Sequence, residues 1–172
     1  ITVLAADNAF DHVRLSALDD VTMTVDNGVD IDGIPDLAGD NLRVGDLVMV
    51  LDAIAMVRAM APDAAIDLVV GSWNKSLAGL IPGVNVETVD VPWMTRQGRG
   101  LSWPELVKRA HAWRRKDYDL AINFESDIRS NLLLALSGAH RRVGFVSGGG
   151  GAVLTDAIAA DPRAHIADNA RA

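Results

Sequence analysis

The chain has 172 residues, 49% of them hydrophobic and 23% charged, with a formal charge of −7. The length suits one domain with a real core, the composition excludes a disordered chain, and the charge excludes a sequence-wide attraction to nucleic acid. With no cysteine there is no disulfide frame, thiolate metal site or cysteine nucleophile, which suits a reducing cytoplasm.

Residues 1–6 read as a strand, closed by the polar pair Asp7-Asn8. Residues 21–34 alternate apolar and polar on either side of Asp26-Asn27-Gly28, a turn whose Asn and Gly tolerate positive φ, so this stretch reads as a β-hairpin. Asp26, Asp30, Asp32 and Asp36 do not make a calcium loop, because Gly28 stands where the first carboxylate belongs and no glutamate closes it.

The stretch from Asn41 to Gly71 organises the rest. Arg43-Val44-Gly45-Asp46 opens a helix over residues 47–60, with Leu47, Val50, Leu51, Ile54 and Val57 at helical spacing and Pro62 beyond its end. Asp52 and Arg58 interrupt this apolar run, which is too short to span a bilayer. Residues 66–70 are β-branched and almost wholly apolar, as in a strand buried on both faces.

A short helix over 72–80 capped by Ser72 and a strand marked by Val84, Val86 and Val89 follow, then a loop over 91–100. Ser102-Trp103-Pro104-Glu105 is a capping box with proline in the first turn. It predicts a helix whose buried stripe is Trp103, Leu106, Val107, Ala110 and Trp113 and whose end carries Arg114, Arg115 and Lys116. Residues 120–124 read as a strand, Ser126 as the cap of a helix ending at Gly138, residues 142–146 as a strand, and the glycine run 147–151 as a mobile loop. The tail from Ala152 has no clear pattern. Helices alternating with buried strands predict a doubly wound, mostly parallel α/β sheet with ligands at the carboxyl ends of its strands.

Two strand-to-helix turns could carry chemistry. Asp46 sits in a first helical turn, where unpaired N–H groups favour a carboxylate, so it could act as a general base, with Arg43 holding an anionic group. Asp is also simply a good first-turn residue, and residue types alone favour that structural role. The second turn, Asn123 to Arg129, could bind an anion at its helix N-terminus with help from Arg129, although Glu125 and Asp127 oppose it. His12, His111, His140 and His165 have no metal-ligand spacing. No G-x-G-x-x-G follows a strand, which excludes a Rossmann dehydrogenase.

From Asn41 onward the chain resembles the N-terminal half of the family 9 glycosyltransferases, which include the lipopolysaccharide heptosyltransferases. The matching pieces are Arg43-Val44-Gly45-Asp46-Leu47-Val48-Met49, Arg58-Ala59-Met60-Ala61-Pro62-Asp63-Ala64 and the strand after it. Lys116-Asp117-Tyr118-Asp119-Leu120-Ala121-Ile122, Arg129-Ser130-Asn131-Leu132-Leu133 and Ser137-Gly138-Ala139-His140-Arg141-Arg142-Val143-Gly144-Phe145 follow in the same order. Asp52 stands where the family usually has proline.

The resemblance implies one Rossmann-like half of a GT-B fold: an irregular segment over 1–40, an acceptor-side domain over 41–172, and a C-terminal nucleotide-sugar domain outside this chain. It implies an inverting, metal-independent transfer of a heptosyl or hexosyl unit from a nucleotide-sugar to a saccharide or lipid-linked saccharide acceptor of the cell envelope. No cofactor is expected. Asp46 would be the base, Gly45 would shape the turn, and Arg43, Ser126 and Arg129 would contact the acceptor. The implied location is cytoplasmic, with at most peripheral contact at the inner face of the membrane, and the isolated chain should not turn over. The alternative is a non-catalytic α/β binding or interaction module derived from such an enzyme.

Overall fold

The computed structural model describes residues 2–6, 45–95 and 98–171. Arg43, the residues 21–34 read as a hairpin and most of the 1–40 segment lie outside the described residues. Strand β1 (Thr2–Ala6) comes first, then a helical turn over 45–49 and helix α1 (Leu51–Met60). Next come β2 (Ala65–Val70), a 3-10 turn (Ser72–Asn74) running into α2 (Lys75–Ala78), and β3 (Val84–Thr88). Helix α3 (Trp103–Trp113) has a 3-10 extension (Arg114–Lys116) and leads to β4 (Leu120–Asn123), α4 (Ile128–Leu136) and β5 (Arg141–Phe145). A 3-10 turn (Gly151–Val153), β6 (Asp156–Ile158) and α5 (Ile166–Arg171) form the tail that sequence reading left unassigned.

The strands form one sheet in the order β3-β2-β1-β4-β5-β6, the doubly wound Rossmann order. Pairings β2–β3, β4–β5 and β5–β6 are parallel. Strand β1, at the centre, is antiparallel to both neighbours, with Thr2 opposite Val69 and Asn123. A strand running straight into the Gly45-Asp46 turn would be parallel to its neighbours, and β1 is not. The long connection over 7–44 removes the constraint that a short βα loop imposes on strand direction.

Alternation along β2 sends Ile66, Leu68 and Val70 to one face, where Leu47, Val50, Ile54 and Val57 pack on them. Val69 faces the other way, into a core with Val89, Leu106, Ala110, Trp113, Leu133 and Leu134. Each of these large side chains contributes about 1.5–3 kcal/mol by leaving water. Helices therefore cover both faces of the sheet, as the apolar strand read from the sequence requires.

Four local expectations change and one, the capping box of α3, holds. The first helix is not continuous: Val50 adopts φ −105°, ψ 3° and its N–H donates to the Leu47 carbonyl (3.2 Å), a tight i→i−3 turn between 45–49 and α1. The capping box of α3 forms, with Glu105 accepting from the Ser102 N–H (2.8 Å) and hydroxyl (2.6 Å). Trp103 and Val107 are not on its buried stripe but 49% and 39% exposed, because the arc that meets the sheet is only Leu106, Ala110 and Trp113. The cap of α4 is Asp127, whose carboxylate accepts from the Arg129 N–H (2.8 Å), rather than Ser126.

The glycine run is packed, not free. A Cβ on Gly148 would fall 1.4 Å from the Ser126 carbonyl oxygen, and Gly149 and Gly150 hold φ of +91° and +81°. Asn131 secures the loop by donating to the carbonyls of Gly149 (3.0 Å) and Phe145 (3.1 Å).

Candidate active site

A cleft of about 300 Å³ opens at the carboxyl edge of the parallel strands. Val70 at the end of β2 and Gly71 after it, Val89 and Val91 after β3, Phe124 and Glu125 after β4, and Ser147 after β5 all line it. This is where a doubly wound sheet leaves a crevice. The wall opposite comes from α5, through Ile166, Asn169 and Ala170. Arg171 ties α5 to α1 through the Asp52 carboxylate, with contacts of 2.8 and 3.2 Å.

Asp46 lines the cleft and is exposed. It lies in a first helical turn beside half-buried Gly45, and among the described residues no ion pair reaches its carboxylate. Ser126 also lines the cleft, half-buried. The structure thus brings Asp46, from a first helical turn, and Ser126, from the turn after β4, to one cavity.

Arg129 is placed differently. Its guanidinium returns onto Asp127 in a two-point contact (2.9 and 2.6 Å) and lies 4.9 Å from the Trp93 ring centre. That hydrogen bond is the main reason the Asp127 carboxyl is held below its usual range. Arg129 is therefore charge-compensated on the rim and does not line the cleft. No described lysine or arginine does.

The lining is mostly apolar, and its polar groups are carboxylate, amide and hydroxyl, among them Asp46, Glu125, Asn74, Asn123, Ser126 and Ser130. Sequence reading missed Asn123 and Asn131. Asn123 closes an Asx-type turn, accepting from the Glu125 N–H (3.1 Å) and donating to the Glu125 carbonyl (2.6 Å). It also donates to Asn131 Oδ1 (2.8 Å). The signal was present: an amide at the end of a buried apolar strand and another inside the apolar α4 must find hydrogen-bond partners.

Such a cleft offers an exposed carboxylate to a hydroxyl proton, with the Ser126 and Ser130 residues set among apolar walls. Among the described residues no group of three or more His, Asp or Glu could hold a metal.

No known protein-family profile matches the sequence, and neither does any curated protein. Among solved structures the chain is similar to E. coli ADP-heptose LPS heptosyltransferase II, at a TM-score of 0.62 and 24% identity, over 74% of this chain and 36% of that one. It is also similar to E. coli heptosyltransferase WaaC with ADP-2-deoxy-2-fluoro heptose, at 0.58 and 18%, over 74% of this chain and 43% of that one. The chain thus has the Rossmann-like α/β fold found in part of these glycosyltransferases, while spanning less than half the length of either.

Proposed function

We propose that this chain is the acceptor-side domain of an inverting, heptosyltransferase-like glycosyltransferase and works within a longer enzyme that supplies the nucleotide-sugar domain. The observation that carries this reading is the exposed Asp46 residue lining a cleft on the carboxyl edge of a Rossmann-ordered sheet. The fold shared with heptosyltransferases supports it.

In this reading a saccharide acceptor, free or lipid-linked, lies in the cleft with its hydroxyl against Asp46. The carboxylate takes the hydroxyl proton as the oxygen attacks the anomeric carbon of the donor sugar. The bond from that carbon to the leaving phosphate breaks, the nucleoside diphosphate departs with the electron pair, and the configuration inverts. No metal is required. Ser126 and Gly45 shape and contact the acceptor side, Arg43 would contact the acceptor as the resemblance implies, and Arg129 acts from the rim over the Trp93 ring.

The test is Asp46→Asn in the full-length enzyme, with transfer from ADP-heptose to an LPS-core acceptor as the readout. The expected result is a drop in kcat of about 10²–10⁴-fold, the usual contribution of a general base, with acceptor affinity little changed. Unaltered transfer would remove Asp46 from the role.

A second reading, a non-catalytic binding module, is favoured by the reversed β1, since the Gly45-Asp46 turn does not follow directly from a parallel strand. Acceptor binding without transfer, even when a donor domain is joined to the chain, would select it.

A further inference from the structure

The cleft runs down onto the core that α3 and α4 share with the sheet. Val69, Val89, Val91, Trp113, Leu133 and Leu134 belong to that core, each 8% exposed or less, and all six line the cavity. An aromatic wall joins them. Trp73, half-buried in the 3-10 turn after β2, lines the cavity, and so does Gly71. A Cβ on Gly71 would overlap the benzo ring of Trp73, so the indole lies directly on the backbone where the strand ends. Gly71 has φ −68°, open to any residue; it is the room for the ring, and not backbone freedom, that requires glycine here.

The charge of the lining points the same way. Among the described residues its only ionisable side chains are Asp46 and Glu125, both acidic. Arg129 is paired with Asp127 and stands outside the cavity. A phosphate or carboxylate entering here would give up water, meet no described counter-charge and be repelled by two carboxylates. An apolar group entering loses nothing by leaving water. The cavity, about 300 Å³, is at the small end for a ligand site, so it suits a compact group and not a long chain.

We propose that the acceptor unit entering this cleft is an uncharged sugar bearing a compact apolar substituent, with Trp73 as the side chain that selects it. The substituent takes the apolar part of the cavity and the Trp73 ring is one of its walls, while the sugar hydroxyls stay on the side of Asp46 and Ser126. Phosphorylated or carboxylated units are rejected by charge, and any charged remainder of the acceptor stays outside. The inference rests on the cleft being the acceptor site, and not on Asp46 being the base.

Calorimetric titration of the 172-residue chain tests it with phenyl β-D-glucopyranoside, methyl β-D-glucopyranoside and phenyl β-D-glucopyranoside 6-phosphate. Burial of the phenyl ring makes the first bind about 10–100-fold more tightly than the second, and the third binds more weakly than the first. Trp73→Ala removes most of the preference for phenyl over methyl, and Gly71→Ala, which drives the ring off the strand end, lowers the same preference with every aromatic retained. Circular dichroism shows whether each variant is folded, and the wild-type comparison decides the proposal if neither is. Equal affinity for the phenyl and methyl glucosides, or binding of neither, overturns it. A phenyl preference that both folded variants keep overturns the role of Trp73. Tighter binding of the 6-phosphate also overturns the proposal, and loss of that gain in Arg43→Gln assigns the site to an anionic acceptor held by Arg43. None of these outcomes bears on the base, which stands or falls with transfer by Asp46→Asn.

Discussion

Asn123 donates its side-chain amide to the side-chain carbonyl of Asn131 across 2.8 Å, with both residues at 1% exposure or less. Through that bond β4 holds α4, and through the other end of Asn131 α4 holds the carbonyls of Phe145 and Gly149. Two loops that border the cleft are thus fixed by one buried amide.

Replacing Asn131 with Leu keeps the volume and removes every one of these bonds. Buried carbonyls left without a donor cost about 1–3 kcal/mol each, so the variant should lose about 3 kcal/mol in urea unfolding. Hydrogen exchange should accelerate in both loops together. Exchange confined to one of them would show that the bridge does not couple them.

Gly148→Ala and Gly98→Ala form a matched pair. Gly148 has no room, since its Cβ would overlap the Ser126 carbonyl at 1.4 Å, and the backbone of the Ser126 turn must move. Gly98 has open space and only its φ of +62° to oppose a side chain. The second should cost about 1 kcal/mol; the first should cost clearly more and weaken acceptor binding in calorimetry, because Ser126 lines the cleft.

Asp67 gives the fold a pH dependence. Burial is the largest single influence and pushes its carboxyl up, but hydrogen bonds from Lys116 (2.5 Å), Tyr118 and Asn85 (3.1 Å), with the Lys116 charge, outweigh it and hold the group below its ordinary range. A depressed folded value means that this stabilisation is complete above about pH 4, the unfolded value, and disappears as pH falls through the folded one. Tyr118 shifts the other way, raised first by burial and then by its bond to Asp67, so its share is lost as pH rises above about 10. Asp67→Asn should therefore flatten the acid limb of a stability-against-pH curve measured in urea, and Tyr118→Phe the alkaline limb. An unchanged acid limb in Asp67→Asn would mean that other carboxylates set it.

The Arg171–Asp52 pair is exposed on both sides, so Arg171→Ala should cost no more than about 1 kcal/mol globally. Its effect should be local: α5 forms one wall of the cleft, and its amide protons should exchange faster while those of α1 hardly change. Equal acceleration in both helices would show that the pair secures more than the wall.

The sequence carried the sheet core plainly, because residues 66–70 and 120–123 are apolar enough to require burial on both faces. The start of α3 was equally plain, since a Ser-Trp-Pro-Glu box satisfies helix N–H groups from within four residues. Asp46 was legible as a first-turn residue of a helix, and the structure places it there, lining the cleft. What stayed hidden depended on distant partners. Period-two alternation has no direction, so nothing in residues 2–6 revealed that β1 runs backwards. Trp103 fits a helical stripe by spacing, yet its surroundings are Trp93 and solvent. A glycine run suggests freedom until Asn131, seventeen residues before Gly148, is seen to grip it.

Among the described residues, β1 alone joins the β3-β2 half of the sheet to the β4-β5-β6 half. A version of the chain beginning near residue 45 would expose two facing rows of unpaired backbone groups with a strand-wide slot between them. That slot is a receptor for an extended peptide, and nothing in its two walls dictates polarity, since parallel and antiparallel ladders both satisfy them. A synthetic six-residue strand added in trans should restore the cooperative melt, and so should the same peptide carrying its residues in reverse order.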